Sequence, residues 1–314
     1  MTSAKELVDL FQPDLSVREY GRVVTDTTEF MSIGPGDVIK IGGRHYLVFR
    51  DAVEQGLAYT DNKYWVKKCK ELETGDAKLL KLVFNESFHL EYGCVKVKCY
   101  RSPTKEARML DLVHGDIRFM QGRSAEDTAG NRIRIIDIIS GKRIDHVVAN
   151  IKASHEVYFH DLFPDILRKF IGSCEAIQYL HDNGERHGDI NLDHLMKEYS
   201  TGNLRWIDFD YAYEALTNPF GLDLFGLGQL LACLAGKWLY TPQTVIEQGM
   251  DPSLLDALTP GDFSCVHKNE IMNLQKLFPY IPTSLNNILL HFSESAEVGY
   301  DSVEELLEEL LAVM

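Results

Sequence analysis

Asp189 and Asp208 lie 19 positions apart within the stretch whose residue types most clearly promise chemistry. It reads His187-Gly188-Asp189-Ile190-Asn191-Leu192-Asp193-His194-Leu195, then a polar turn, then Trp206-Ile207-Asp208-Phe209-Asp210. One carboxylate could poise a hydroxyl nucleophile and take its proton, while the other holds a divalent cation on a phosphate. Read as a metal cluster alone, His187, Asp189, Asp193 and His194 would instead suit a metal-dependent phosphohydrolase.

Both centres need elements to bring them together. Leu195-Met196, the turn Ser200-Thr201-Gly202-Asn203 and the run Leu204 to Ile207 predict a hairpin that returns Asp208 to the neighbourhood of Asp189. Upstream, Phe163, Ile166, Leu167, Phe170, Ile171, Cys174, Ile177 and Leu180 recur at three- and four-residue spacing. That stripe predicts a long helix, stopped by His181-Asp182-Asn183-Gly184.

The N-terminal half predicts strands at His45 to Phe49, Lys63 to Lys67 and Ala77 to Phe84, then an insertion over 85–101. Ser102 and Pro103 open a helix as N-cap and first helical residue, and His114-Gly115 ends it. Phe119-Met120 and Arg132 to Ile139 predict two more strands. Helices are expected near 253–258, 269–277, 284–292 and 302–313, the last with a capping box from Ser302 to Glu305.

The first segment resembles the protein-kinase catalytic loop H-R-D-x-x-x-x-N and the second resembles D-F-G, in the family's order and spacing. A third match, Asn218-Pro219-Phe220-Gly221-Leu222-Asp223 to Gly228, is similar to the start of the family helix whose aspartate braces the catalytic-loop backbone. The chain thus resembles the protein-kinase-like superfamily, as a divergent relative of bacterial, eukaryotic-like Ser/Thr kinases, over roughly residues 45–314. The resemblance implies an α+β, two-lobed fold. Residues 1–44 would be an N-terminal extension packed on the first lobe, 45–139 a small antiparallel-sheet N-lobe and 140–314 a mainly helical C-lobe, with ATP between the lobes. It implies ATP-dependent transfer of the γ-phosphate to a hydroxyl of a protein Ser/Thr or a small molecule. The competing reading is a pseudokinase serving as a nucleotide-binding scaffold.

Carried over residue by residue, the resemblance makes Asp189 the group that orients the acceptor hydroxyl and takes its proton. Lys81, in a strand that resembles V-A-I-K, would grip the phosphates, with Lys67 and Lys68 as rivals. Glu106 would pair with it, although a glutamate in a first helical turn also suits the helix dipole. Gly56 is the one glycine of the phosphate-covering loop. Leu79 and Met196 would sandwich the adenine, and backbone groups of Ile136, Asp137, Ile138 and Ile139 would meet its edge. Asp208 would bind Mg²⁺. His194 stands in place of the asparagine that holds a second metal; its imidazole suits Mn²⁺ or Zn²⁺ better than Mg²⁺, and the alternative is that it fills a structural slot. Asp210 replaces the glycine of D-F-G and adds a carboxylate. His187, Phe209 and Asp223 would brace the site.

Some features depart from the family. Gly188 replaces the arginine of H-R-D and Asn191 replaces the lysine that touches the γ-phosphate; the His-Gly-Asp form looks like aminoglycoside and choline-type kinases. Only 14 residues separate Asp208 from Asp223, too few for a full activation segment.

Composition narrows the partners. A formal net charge of −15 over 314 residues disfavours nucleic acid and anionic membrane surfaces. No apolar run is long enough to span a bilayer, and no signal-like stretch follows Met1. Six scattered cysteines without a C-x-x-C pair point to reduced thiols in a cytoplasm.

Overall fold

The structure is a computed structural model that describes residues 2–55, 60–92, 95–214 and 217–314. The chain opens with α1 (Ala4–Phe11), whose capping box ties Ser3 and Glu6 to each other's backbone N–H. Strands β1 (Val23–Val24), β2 (Val38–Ile41), β3 (Arg44–Gln55), β4 (Thr60–Glu71) and β5 (Ala77–Lys81) follow. A hairpin, β6 (Ser87–Tyr92) and β7 (Val95–Arg101), precedes α2 (Pro103–Leu112), β8 (Gly122–Glu126) and β9 (Arg132–Asp137). Next come β10 (Gly141–Arg143), α3 (Ile144–Ala149), α4 (His155–Val157), α5 (Phe163–Asp182), β11 (Leu195–Glu198), β12 (Leu204–Trp206) and β13 (Tyr211–Tyr213). The chain closes with α6 (Gly221–Gly236), α7 (Pro242–Glu247), α8 (Thr283–Leu290) and α9 (Val303–Ala312).

Two compact units emerge: Met1–Glu86 with Arg101–Ile139, and Ser87–Tyr100 with Ser140–Met314. The first is built on a seven-stranded sheet ordered β1-β2-β3-β4-β5-β9-β8, antiparallel except for β1 beside β2. One face buries Ile39, Ile41, Val48, Leu80, Ile133 and Ile135. Strand alternation therefore sends Lys81 and Arg134, directly paired across β5 and β9, to the other face. Residues 1–44 are more than an extension, because β1 and β2 enter this sheet and Leu7 and Val8 of α1 pack with Val38, Leu47 and Leu72.

The second unit holds two three-stranded sheets, β10-β11-β12 and β13-β7-β6, among its helices. Residues 87–100, expected in the first lobe, belong here because β7 pairs with β13 and Val97 and Cys99 pack on Tyr213 and Leu222. The predicted stripe of α5 is buried from Phe163 to Leu180, with Ile166 only half covered. Apolar on nearly every side, α6 runs through the core. The expected strand at Phe119-Met120 forms two residues later as β8. The segments at 253–258 and 269–277 make only short 3₁₀ helices, Pro252–Ala257 and Leu274–Lys276. Such short stretches, one of them opening on Pro252, are too brief to propagate an α-helix. Glu305 closes on Asp301 N–H rather than on Ser302, so half of the expected capping box is shifted by one residue.

Among the described cysteines, Cys69, Cys99, Cys174, Cys233 and Cys265 are free thiols. No described helix is long and apolar enough to cross a membrane.

His155 gives this unit a pH-sensitive joint. Its ring stacks on Phe278 at 3.6 Å, Nε2 lies 3.0 Å from Ala235 O and Nδ1 lies 2.7 Å from the Tyr280 hydroxyl. Burial pushes its pKa from the ordinary 6.5 down to about 4. The unfolded chain therefore takes up a proton that the folded chain refuses, so this stability is complete above pH 6.5 and lost as pH falls toward 4. Thermal melts across that window are expected to show a steeper loss for the wild type than for His155→Gln. Equal slopes would count against the assignment.

Candidate functional site

The loop after α5 is organised by one carboxylate from α6. Asp223 is fully buried and accepts from His187 N–H at 2.8 Å, Gly188 N–H at 2.8 Å and His181 Nε2 at 3.0 Å. Burial pushes its pKa upward, but the bond from His181, the charge of nearby imidazoles and the backbone donors outweigh that, holding the carboxyl below its usual range. His181 is itself fixed by stacking on Phe220 at 4.0 Å. Gly188 adopts φ +84°, a left-handed conformation natural to glycine, which accounts for a glycine between His187 and Asp189. Close approach of α6 to the loop depends on Gly226. A methyl group there would lie 2.4 Å from Ile190 O and 2.6 Å from its Cβ.

His187 is fully buried. It presents its ring to Trp206 and Phe209 at 5.3 and 5.9 Å, and Asp189 N–H points at its Nδ1 at 3.4 Å. Trp206 is anchored in turn by its indole N–H on Ser173 O at 2.9 Å. The β11–β12 register pairs Leu195 with Trp206, and Ile207 N–H then bonds His194 O at 3.0 Å. That hairpin delivers Asp208 to His194 and Asp189, as its sequence predicted.

His194 stands between the two aspartates. Its Nδ1 is 2.7 Å from Asp189 O and 3.4 Å from Asp189 Oδ2, and its Nε2 is 3.7 Å from Asp208 Oδ2. A contact of 2.7 Å to a carbonyl places a proton on Nδ1 and leaves Nε2 facing Asp208. Asn191 accepts Asp193 N–H at 2.8 Å and donates to Asp189 Oδ1 at 3.1 Å, so it orients the carboxylate. Asp208 adopts φ +64°, a left-handed conformation that costs a non-glycine residue on the order of 1 kcal/mol. Buried Asp210 has a ligating oxygen within 4.8 Å of one on Asp208.

In the first unit, Lys81 Nζ meets Glu106 Oε1 at 2.6 Å. Ser102 caps the helix that carries Glu106, with Pro103 in its first turn. Arg134 Nε binds the other oxygen, Oε2, at 2.9 Å, and both Glu106 and Arg134 are fully buried. Sequence reasoning missed Arg134. The signal was a charge set inside Ile133-Arg134-Ile135, in a strand with apolar neighbours on both sides. The rival Lys67 faces the opposite side of the sheet, wholly buried and committed to Ile33 O at 2.6 Å and Asp51 Oδ1 at 2.7 Å.

Leu79 shares the Lys81 face of β5 and is half-buried, while Ile136 is buried in β9. Asp137 ends that strand in an ion pair with Lys78 at 2.7 Å, followed by exposed Ile138 and by Ile139. Met196 lies half-buried in β11. Gly56 lies outside the described residues.

A mainly antiparallel sheet unit and a mainly helical unit whose loop is tied to a buried helix aspartate constitute the protein-kinase-like fold. Solved structures agree. A mutant form of the Mycobacterium tuberculosis PknI kinase domain matches with a TM-score of 0.50 at 14% identity, covering 87% of this chain and 96% of that one. A double-mutant form matches with a TM-score of 0.50 at 14% identity over 90% and 98% of the two chains. No protein-family model matches the sequence, and no curated protein does.

The tight seat of α6 on the loop is testable. Gly226→Ala must force the loop backbone away, and is expected to destabilise by about 1–3 kcal/mol. Gly172→Ala, mid-helix in α5 with nothing within 4 Å, is expected to stabilise by about 1 kcal/mol. Urea unfolding of both variants checks this, and equal effects of the two would contradict it.

Proposed function

We propose that the protein is a kinase, transferring the γ-phosphate of ATP to a hydroxyl of a protein Ser/Thr or a small molecule. The observation that carries this reading is the Asp189–His194–Asp208 constellation, held in place through Asp223. In the step itself the acceptor hydroxyl oxygen bonds to the γ-phosphorus and its proton passes to Asp189. The bond to the bridging oxygen breaks, and ADP leaves with that electron pair. Asn191 would fix the direction of the Asp189 carboxylate before the acceptor arrives, and His194 would hold the backbone that carries it. Lys81, oriented by Glu106 and through it by Arg134, would bind the nucleotide phosphates. Leu79, Met196 and the segment Ile136 to Ile139 would serve the adenine.

The donor set fits a divalent cation. His194 Nδ1 is spent on a carbonyl and its Nε2 lies 3.7 Å from Asp208 Oδ2, so Nε2 and the carboxylates of Asp208 and Asp210 would offer mixed nitrogen and oxygen ligands, suited to Mg²⁺ or, with imidazole present, Mn²⁺. Bound there, the ion would neutralise charge on the phosphates. Free cysteines are in keeping with a cytoplasmic enzyme.

Turnover of ATP to ADP, measured with Mg²⁺ and with Mn²⁺, tests the reading. Asp189→Ala is expected to lower kcat roughly 10²–10⁴-fold while nucleotide still raises the melting temperature. Replacing His194 by Asn is expected to move the metal preference toward Mg²⁺. Nucleotide binding with turnover indifferent to Asp189 would overturn the enzyme and leave a nucleotide-binding scaffold.

A further inference from the structure

A cavity of about 530 Å³ lies in the second unit and shares no lining residue with the site described above. Its walls are Ile144, Val147, Ile151, Leu162, Ile166 and Leu204, all aliphatic. No aromatic, hydroxyl or amide side chain lines it, and its polar side chains are Asp165, Arg168, Lys169 and Lys197. Asp165 and Arg168 neutralise each other at 2.6 Å and stand well into solvent, at 78% and 63% exposure.

The lysines are not neutralised. Lys169 Nζ donates to Gly202 O at 2.9 Å, and Lys197 Cε lies 4.0 Å from where a methyl group on the same glycine would stand. Lys142 sits directly opposite Lys197 across the β10–β11 pair, a like-charge placement that weakens a sheet. Among the described residues no carboxylate pairs with Lys142, Lys169 or Lys197. In a chain with a formal net charge of −15, two unpaired lysines lining one aliphatic cavity, with Lys142 across the strand from one of them, concentrate positive charge there.

We propose that this cavity binds a fatty acid, its tail among the six aliphatic side chains and its carboxylate at Lys169 and Lys197. Charge complementarity selects an anionic head, and the lining selects the tail. A peptide would bring backbone amides into a wall whose side chains offer them no neutral partner, at the cost of unmade hydrogen bonds. An acyl chain has none to satisfy. Cavities of this size hold small amphiphiles. The proposal does not depend on the phosphotransfer reading.

Calorimetry of the full chain with decanoate, dodecanoate and decan-1-ol, each below its solubility or micelle limit, tests it. Dodecanoate is expected to bind roughly fifteenfold tighter than decanoate, from about fourfold for each of the two added methylenes. The double variant Lys169→Gln/Lys197→Gln is expected to weaken decanoate at least tenfold and decan-1-ol less than twofold. Val147→Trp, which fills the cavity, and independently Ile166→Trp are expected to weaken both ligands at least tenfold, with melting temperatures confirming that the variants fold. Three results would overturn the proposal: no decanoate binding, binding indifferent to both lysines in a folded variant, or an acidic, leucine-containing peptide that displaces decanoate and binds more tightly.

Discussion

Asp223 is the interaction on which the candidate site rests. A carboxylate with no exposure is costly unless its oxygens are filled, and here two backbone N–H groups and one imidazole fill them. Those donors come from the end of α5 and from the loop that carries Asp189, so one anion in the first turn of α6 fixes both. Gly188 lets the chain turn between the two bonded amides, and Gly226 lets α6 approach closely enough for the bonds to form. Hydrophobic burial around Leu222, Leu224 and Leu227 holds the helix there, so the polar geometry depends on the apolar core.

The first unit solves a similar problem with two cations. Glu106 is enclosed, and Lys81 and Arg134 each take one of its oxygens. Strand alternation makes this possible: Lys81 and Arg134 are cross-strand partners, on the face away from Leu80, Ile133 and Ile135. Lys67, one strand over, points into the other face and ties Asp51 to the Ile33 carbonyl. Two lysines close in sequence thus end in unrelated roles because the pleat separates them.

How much of this could be read beforehand depended on how local each signal was. The α5 stripe and the β11–β12 hairpin follow from periodicity and turn chemistry, and the structure forms both, whereas Asp223 was named through the family resemblance. The hairpin at 87–100 could not be assigned, because its partner β13 lies far along the chain and alternation alone names no partner. Arg134 drew no reading of its own, since sequence does not tell which face of a strand is covered. His194 was legible as an oddity in the loop. Its place between Asp189 and Asp208 required the folded hairpin, and so did the closeness that makes Gly226 necessary.

Asp223→Asn tests the central claim most directly, because it keeps the shape and removes the charge that gathers the loop. The account predicts a roughly 10²-fold fall in ATP turnover from misplacement of Asp189, with the nucleotide-induced rise in melting temperature retained. Turnover at the wild-type rate in a folded Asp223→Asn protein would contradict it.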